Sequence, residues 1–307
     1  MPARDTFHSL ILKNKRNSLL LMTAAVALLL ILGVAIGEVW FGEPIGGLLL
    51  AGFAALVVVI FSWFGGGDLV LLVSQAKPIE KREHPQLFNV VEELSIAAGI
   101  PMPRIYIIED TAPNAFATGR DPTDATVAIT RGLLEKLDRD ELQGVMAHEL
   151  SHIRNYDIRF AMLMTVLVGM IVLLADFFLR GTFWGVGRRR SSNDHGHWIV
   201  VLLAMLLAIL APLLASLIQM AMSRQREYLA DASAIELTRY PDGLASALRK
   251  ISDDEEPLEA ANRATQHLYI VNPLEKFKQG ADSLMSTHPP LEERINRLRQ
   301  LTGQNHR

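Results

Sequence analysis

Four long stretches without charge, or nearly so, dominate the hydropathy pattern of the chain. Two lie near the N-terminus, at residues 17–37 and 44–67, separated by a connection of six residues. An α-helix rises about 1.5 Å per residue, so each stretch is long enough to cross a hydrocarbon layer of roughly 30 Å. The pattern therefore predicts a transmembrane hairpin within residues 1–70.

A second apolar pair, at residues 160–179 and 198–222, is harder to interpret. Asp176 interrupts its first stretch, and four arginines, Arg180 and Arg188–Arg190, lie in the loop between the stretches. If both helices cross, this basic loop lies outside, against the positive-inside rule. Either the hairpin at residues 160–222 dips into the membrane without crossing, or the first pair sets the orientation and four helices cross. The second stretch is long enough to cross, whereas the first is uncharged for only 16 residues before Asp176, and of the two interpretations we favour four membrane helices.

The basic residues around the first hairpin predict its orientation. Lysines and arginines precede the first stretch and follow the second, whereas the loop at residues 38–43 has none. The positive-inside rule therefore places the N-terminus and the chain after residue 70 in the cytoplasm. A cleavable signal peptide is the alternative for the first stretch, but its apolar part is longer than usual and a second stretch follows at once.

The segments at residues 71–159 and 223–307 have mixed, soluble patterning. Apolar spacing predicts helices at 85–98 and 132–137 and further helices from Pro241 onward, whereas three short runs at 104–108, 114–119 and 125–129 are typical of strands. We therefore expect a mainly α fold with a small β-sheet, divided between these two parts of one domain and the two apolar hairpins.

Composition narrows the chemistry. The chain has no cysteine, which excludes disulfide scaffolds and thiolate metal sites, so any metal site must use histidine and carboxylate ligands. A net charge of −3 and a pI near 6.3 provide no basic surface for a phosphate backbone, and we expect no nucleic-acid partner.

One predicted helix carries a metal-binding pattern. Asp138 and Glu141 match a capping box, and His148-Glu149-Leu150-Ser151-His152 follows within the helix. Residues i and i+4 lie on the same helical face, so both imidazoles can bind one zinc ion about 2 Å from each nitrogen. Glu149 is placed to take a proton from a zinc-activated water. The alternative is two surface histidines on an amphipathic helix.

A third protein ligand is needed, and an acidic pair after the last apolar stretch offers one. In a helix, Glu227 and Asp231 lie one turn apart, so the first can bind metal while the second accepts the N–H of a ligating histidine. The same carboxylates can equally pair with Arg224 and Arg226 on a solvated face. The spacing alone leaves both interpretations open.

Four motifs together resemble the HtpX-type integral membrane zinc metalloproteases, relatives of the type 1 CAAX prenyl proteases in the gluzincin class. The motifs are the HExxH pattern from His148 to His152, the run from Ser223 to Asp231, the stretch from Pro113 to Gly119 and the Thr-His-Pro-Pro motif from Thr287. The resemblance covers nearly the whole chain. It implies a zincin-like domain with one Zn²⁺ per subunit, Glu227 as the third ligand, and Asp231 as a partner of a ligating histidine.

The resemblance implies further roles that the residues alone leave open. Asn114, Ala115, Phe116 and Ala117 would form an edge strand that holds the substrate backbone, although a core strand explains them equally well. His288 would donate to the oxyanion of the tetrahedral intermediate, but it can also fix a turn before the helix near Leu291. Asp157 recurs in the family pattern as a support for the zinc helix.

The implied function is a zinc-dependent endopeptidase of the bacterial inner membrane, with its catalytic domain in the cytoplasm. Its expected substrates are cytosolic segments of membrane or misfolded proteins, cut during membrane quality control and stress. A prenyl-peptide processing protease is an alternative with the same chemistry, and a catalytically inactive membrane scaffold is another. The scaffold would be expected to lack Glu149 or a ligand, whereas the sequence retains all of them.

Overall fold

A computed structural model describes residues 7–184, 197–254, 256–258, 269–270 and 289–301. In chain order, the helices are α1 Phe7–Phe41, α2 Pro44–Val73, α3 Pro85–Ala98, α4 Arg131–Lys136, α5 Arg139–Arg154, α6 Asp157–Phe183, α7 His197–Thr238, α8 Pro241–Asp253 and α9 Leu291–Leu301. The strands are β1 Lys77–Pro78, β2 Arg104–Ile108, β3 Ala115–Gly119 and β4 Ala125–Thr130. The prediction of a mainly α fold with a small sheet is confirmed.

The described residues divide into two compact units. The first takes its residues from 7–14, 64–161 and 223–301, and the second from 15–63 and 162–222. By length and composition, four helices in the described part of the chain can cross a membrane, namely α1, α2, α6 and α7. Each is longer than the apolar stretch that predicts it, because its helical backbone continues into flanking polar residues.

Close contact between glycines joins α1 and α2 in the second unit. A Cβ atom placed on Gly47 would lie 2.2 Å from the carbonyl oxygen of Gly33 and 2.6 Å from Cα of Gly37. The two backbones therefore touch at this crossing, in the manner of small residues at membrane helix interfaces. Any side chain at residue 47 would force the helices apart.

The first unit contains a four-stranded sheet with the order β1-β2-β4-β3. Strands β2 and β4 run parallel, whereas β3 pairs antiparallel with β4, Ala117 lying opposite Val127. The two-residue strand β1, which the sequence pattern does not predict, pairs with β2. Strand β3 is therefore the last strand on one side of the sheet.

Helix α5 lies at the centre of the core of the first unit. The predicted capping box is present, with the Asp138 side chain accepting from the backbone N–H of Glu141. The predicted apolar face of α3 is buried, and it joins one hydrophobic cluster with α5, α8 and the inward side chains of the sheet. Gly144 of α5 meets α8 so closely that a Cβ atom there would lie 2.6 Å from the backbone nitrogen of Leu244. The zinc-motif helix is thus fixed on several sides.

Helix α7 settles whether the acidic pair lies on a helix. The helix continues without interruption from the apolar stretch through Glu227 and Asp231 to Thr238, and Pro212 lies within it. Helix α6 likewise begins at Asp157, three residues before the apolar stretch. One catalytic candidate, His288, lies outside the described residues.

Substitution of Gly47 by leucine should destabilise the α1–α2 hairpin. The added side chain has no space against Gly33 and Gly37, and overpacking of this kind costs about 1–3 kcal/mol. Unfolding of purified protein in mild detergent would measure the loss. Gly46→Leu is the matched control, because a Cβ atom at that exposed residue meets only the Glu43 side chain at 3.6 Å. Equal stability of both variants would contradict the packing described for this crossing.

Candidate metal centre

The two histidines of α5 point the same ring atom at a common point. Nε2 of His148 and Nε2 of His152 lie 3.1 Å apart. His148 is fully buried, whereas the side chain of His152 keeps 15% of its surface exposed. The spacing of four residues along the helix brings the rings together, and the packed core around α5 keeps them there.

Glu227 of α7 completes a group of three ligand atoms. Its carboxylate oxygens lie 3.5 Å from Nε2 of His148 and 3.4 Å from Nε2 of His152. Ligands about 2.0–2.1 Å from a tetrahedral metal ion are separated from one another by about 3.3 Å. Each ring thus lies close to this separation from one of the two Glu227 oxygens, and one ligand atom from each of the three residues lies within 4.8 Å of the others, so among the described residues this group could hold a metal ion.

A carboxylate holds the far side of each imidazole. Nδ1 of His148 lies 3.0 Å from Asp231, and Nδ1 of His152 lies 3.1 Å from Asp157. An ionised carboxylate can only accept a hydrogen bond, so each Nδ1 carries the proton. Each Nε2 is then left with its lone pair directed at the common point, as a metal ligand requires.

Arg294 of α9 contributes a buried positive charge to this cluster. Its guanidinium donates to both oxygens of Asp231, at 2.9 and 2.7 Å, and approaches Glu227 at 3.0 Å. It also donates to the carbonyl oxygen of Ile270 at 3.1 Å, and 1% of its surface is exposed. Arg294 thus fixes the two acidic residues of α7 in place.

Arg294 is not among the site residues predicted from the sequence, although the pattern of α9 contains a signal for it. In α9, Leu291, Ile295 and Leu298 form an apolar stripe at helical spacing, and Arg294 falls on the same stripe. A charged residue on the buried face of a helix needs a buried partner. The pattern therefore indicates that Arg294 is paired, but it does not identify Asp231 as the partner.

Burial and charge shift the proton affinities of the α5 side chains. Burial raises the pKa of the Glu149 carboxyl above its ordinary value. For His152, burial favours a lower pKa, but hydrogen bonds with Asp157 and Glu227 outweigh it and raise the pKa to about 10. The pKa of His148 is raised for the same reason, through Asp231 and Glu227. The carboxylates that raise these pKa values also attract a cation, and a bound cation would take the place of the proton on each Nε2.

Glu149 lies beside this cluster and is 2% exposed. It lines a cavity together with His152, Glu227 and Ala117. A raised carboxyl pKa brings proton uptake and release closer to neutral pH, as a general acid or base requires.

The structure separates the residues that the resemblance assigns to substrate binding. Ala117 of β3 lines the cavity, whereas Phe116 is buried in a different hydrophobic cluster, with its ring 5.1 Å from that of Tyr269. The side-chain oxygen of Asn114, just before β3, accepts from the backbone N–H of Ala115. The carbonyl oxygen of Ala115 accepts from the backbone N–H of Ile270 at 3.0 Å.

Comparison with known proteins places the chain in a family. A model of peptidase family M48 matches residues 81–302. A protease HtpX homolog from Dictyoglomus thermophilum is 46% identical over 297 residues, which cover 96% of this chain and 95% of the relative. Another, from Ligilactobacillus salivarius, is 46% identical over 294 residues, covering 95% of this chain and 98% of the relative.

A solved structure shares the fold. The crystal structure of S. mikatae Ste24p aligns with a TM-score of 0.53 at 22% sequence identity, covering 94% of this chain and 66% of that longer one. Since the sequence relatives match over nearly their full length, the chain belongs to peptidase family M48, as an integral membrane metalloprotease of the HtpX type that hydrolyses peptide bonds.

Proposed function

We propose that this protein is a zinc-dependent endopeptidase that cuts cytosolic segments of membrane or misfolded proteins, in membrane quality control and under stress. The observation that supports it best is the group His148, His152 and Glu227, which offers one ligand atom per residue within 4.8 Å of one another, with the Glu149 side chain lining the adjoining cavity.

Zinc is the cation that we propose for this site. Two imidazole nitrogens and one carboxylate are a donor set that zinc takes in hydrolases, and the separations suit its tetrahedral geometry. When bound, Zn²⁺ supplies a Lewis acid that polarises the scissile carbonyl and acidifies water. His148, His152 and Glu227 would hold it, while Asp231 and Asp157 orient the two rings.

Glu149 is the proposed general base and acid. It takes a proton from the attacking water as the new carbon–oxygen bond forms, and it gives that proton to the amine nitrogen as the carbon–nitrogen bond breaks. Its burial favours the protonated form that the second step needs. His288 is the proposed donor to the oxyanion, a role that rests on the family resemblance.

We propose that the segment Asn114–Ala117 holds the substrate through its backbone. Strand β3 is the last strand of the sheet, and main-chain pairing at an edge accepts varied sequences. The backbone N–H of Ile270 already donates to the carbonyl oxygen of Ala115. The substrate backbone would therefore pair at Ala117, which lines the cavity beside the metal ligands.

The proposed location is the bacterial inner membrane, with the N-terminus and the catalytic parts at 71–159 and 223–307 in the cytoplasm. The distribution of basic residues around the first hairpin supports this orientation. Glu227 follows the apolar stretch 198–222 by only five residues, which supports membrane proteins in the lipid bilayer as the substrate pool.

Glu149→Gln should keep the metal and lose the activity. The amide is the same size as the carboxylate but cannot carry the proton, so cleavage should fall at least 100-fold. Treatment of the wild type with a chelator should lower its cleavage to the same extent. The measurements are zinc per chain and cleavage of casein and of a membrane protein. Glu236→Gln, which alters an ion pair with Arg154, is the matched control. Full activity of Glu149→Gln would contradict the proposed role, and preference for a prenylated peptide would favour the processing protease.

Asp157→Asn should weaken metal binding about 10–100-fold, because the carboxylate that orients His152 is neutralised. Zinc competition with a fluorescent chelator would measure the affinity. Asp253→Asn, at the exposed end of α8, should bind zinc like the wild type. An unchanged affinity in Asp157→Asn would show that this carboxylate does not support the ligand.

Single cysteines can test the orientation, because the chain has none of its own. A membrane-impermeant maleimide added to intact cells should label Glu43→Cys and Trp184→Cys, in the loops after α1 and α6, but not Arg82→Cys. Arg82→Cys should react only after permeabilisation. Labelling of Arg82→Cys from outside would reverse the proposed orientation, and failure to label Trp184→Cys would show that α6 does not cross.

A further inference from the structure

We propose that Tyr269 and Ile270 cap the open edge of strand β3, so that a substrate pairs its backbone with this strand only at Ala117. The cap deepens the proposed function, on which it rests, because it sets how much of the substrate backbone the strand can bind. A short extended segment is then enough for recognition by β3.

The backbone groups of β3 alternate between the sheet and the open edge. The backbone N–H of Thr130 donates to the carbonyl oxygen of Asn114, so Asn114 and every second residue after it face β4. The N–H and C=O groups of Ala115, Ala117 and Gly119 therefore point away from β4. A further strand could pair with β3 at these three residues.

Both edge groups of Ala115 already have partners within the chain. Its N–H donates to the side-chain oxygen of Asn114 at 3.1 Å, and its carbonyl oxygen accepts from the backbone N–H of Ile270 at 3.0 Å. Ile270 thus lies where a residue of an added strand would lie. A substrate reaches this position only by displacing Ile270.

Tyr269 anchors the cap in the core of the first unit. Its ring is fully buried and packs edge-on against the ring of Phe116, with 5.1 Å between the ring centres. Its hydroxyl group lies 3.4 Å from that of Ser74. Because Phe116 is itself a residue of β3, the anchor holds the cap directly to the strand whose edge it covers.

The carbonyl group of Ile270 ties the cap to the metal ligands. It accepts from Arg294 at 3.1 Å, and the same guanidinium holds Asp231 and Glu227. Ile270 is 2% exposed. Displacing it would leave the buried Arg294 without one of its acceptors, so the cap is a fixed part of the site.

Helix α2 covers the other end of the edge. A Cβ atom on Gly67 would lie 3.5 Å from Cα of Gly119 and 3.6 Å from its backbone nitrogen. An added strand lies about 4.8 Å from its neighbour, and at Gly119 the backbone of α2 already takes that space. Ala117 is left between the two covered ends, where it lines the cavity beside Glu149 and Glu227.

The test is an N-methyl scan of one cleavable peptide by purified, zinc-loaded protein, in which each backbone amide except the scissile one is methylated in turn. In the wild type, methylation of the amide that donates to Ala117 should lower kcat/KM about 10-fold, whereas methylation of the amide two residues along, opposite Ala115, should have no effect. Ile270→Pro removes the donor to Ala115 and frees that carbonyl oxygen for the substrate. The amide opposite Ala115 should then become sensitive by a similar factor.

Ile270→Val keeps the backbone donor and should retain the wild-type pattern. Tyr269→Ala removes the anchor on Phe116 and should extend the pattern as Ile270→Pro does, and it carries the test if Ile270→Pro loses zinc. The cap is refuted, and the protease function stands, if these two variants cleave with the wild-type pattern. Sensitivity of the wild type at two or more amides spaced two residues apart would also refute it. No cleavage of the unmethylated peptide by zinc-loaded wild type would refute the proposed function itself.

Discussion

The structure depends on holding three metal-ligating side chains, with one ligand atom from each within 4.8 Å of the others, on two helices that are distant in sequence. The histidines lie on α5, and Glu227 lies on α7, 75 residues beyond His152. Bringing imidazoles and carboxylates together in a buried place is costly unless each charge has a partner. Much of the surrounding structure provides such partners or fixes the helices that carry them.

Arg294 and Arg226 balance the buried acids around the ligands. Arg294 joins Asp231 to Glu227, and Arg226 contacts Asp157, the carboxylate behind His152. Each of these carboxylates therefore has two partners. One is an arginine, and the other is either a ligating imidazole or the metal position. Since removing one member leaves a buried charge without compensation, the network has to form as a whole. This gives the site a fixed geometry before any substrate binds.

Continuous helices fix the positions of the ligands. The packed core restrains α5 through its capping box and its close contact with α8 at Gly144. Helix α7 runs without interruption from the apolar stretch to Glu227 and Asp231, so the separation of these two residues is fixed at one turn. Small residues have the opposite effect beside the ligands, where Ala117, Ala161 and Ser223 leave space rather than fill it.

The sequence by itself determined the features that follow from local periodicity. Apolar runs predict the four long helices, alternation and β-branched residues predict β2, β3 and β4, and the spacing from His148 to His152 places two ligands on one helical face, because 3.6 residues per turn is a local property of the backbone. Only the tertiary structure decided the rest. Spacing left the role of Glu227 open, did not require Asp157, and did not reveal the partner of Arg294 or the cavity at Ala161. These features depend on how α5, α6, α7 and α9 pack. Contacts between such distant segments leave no periodic signal in the chain.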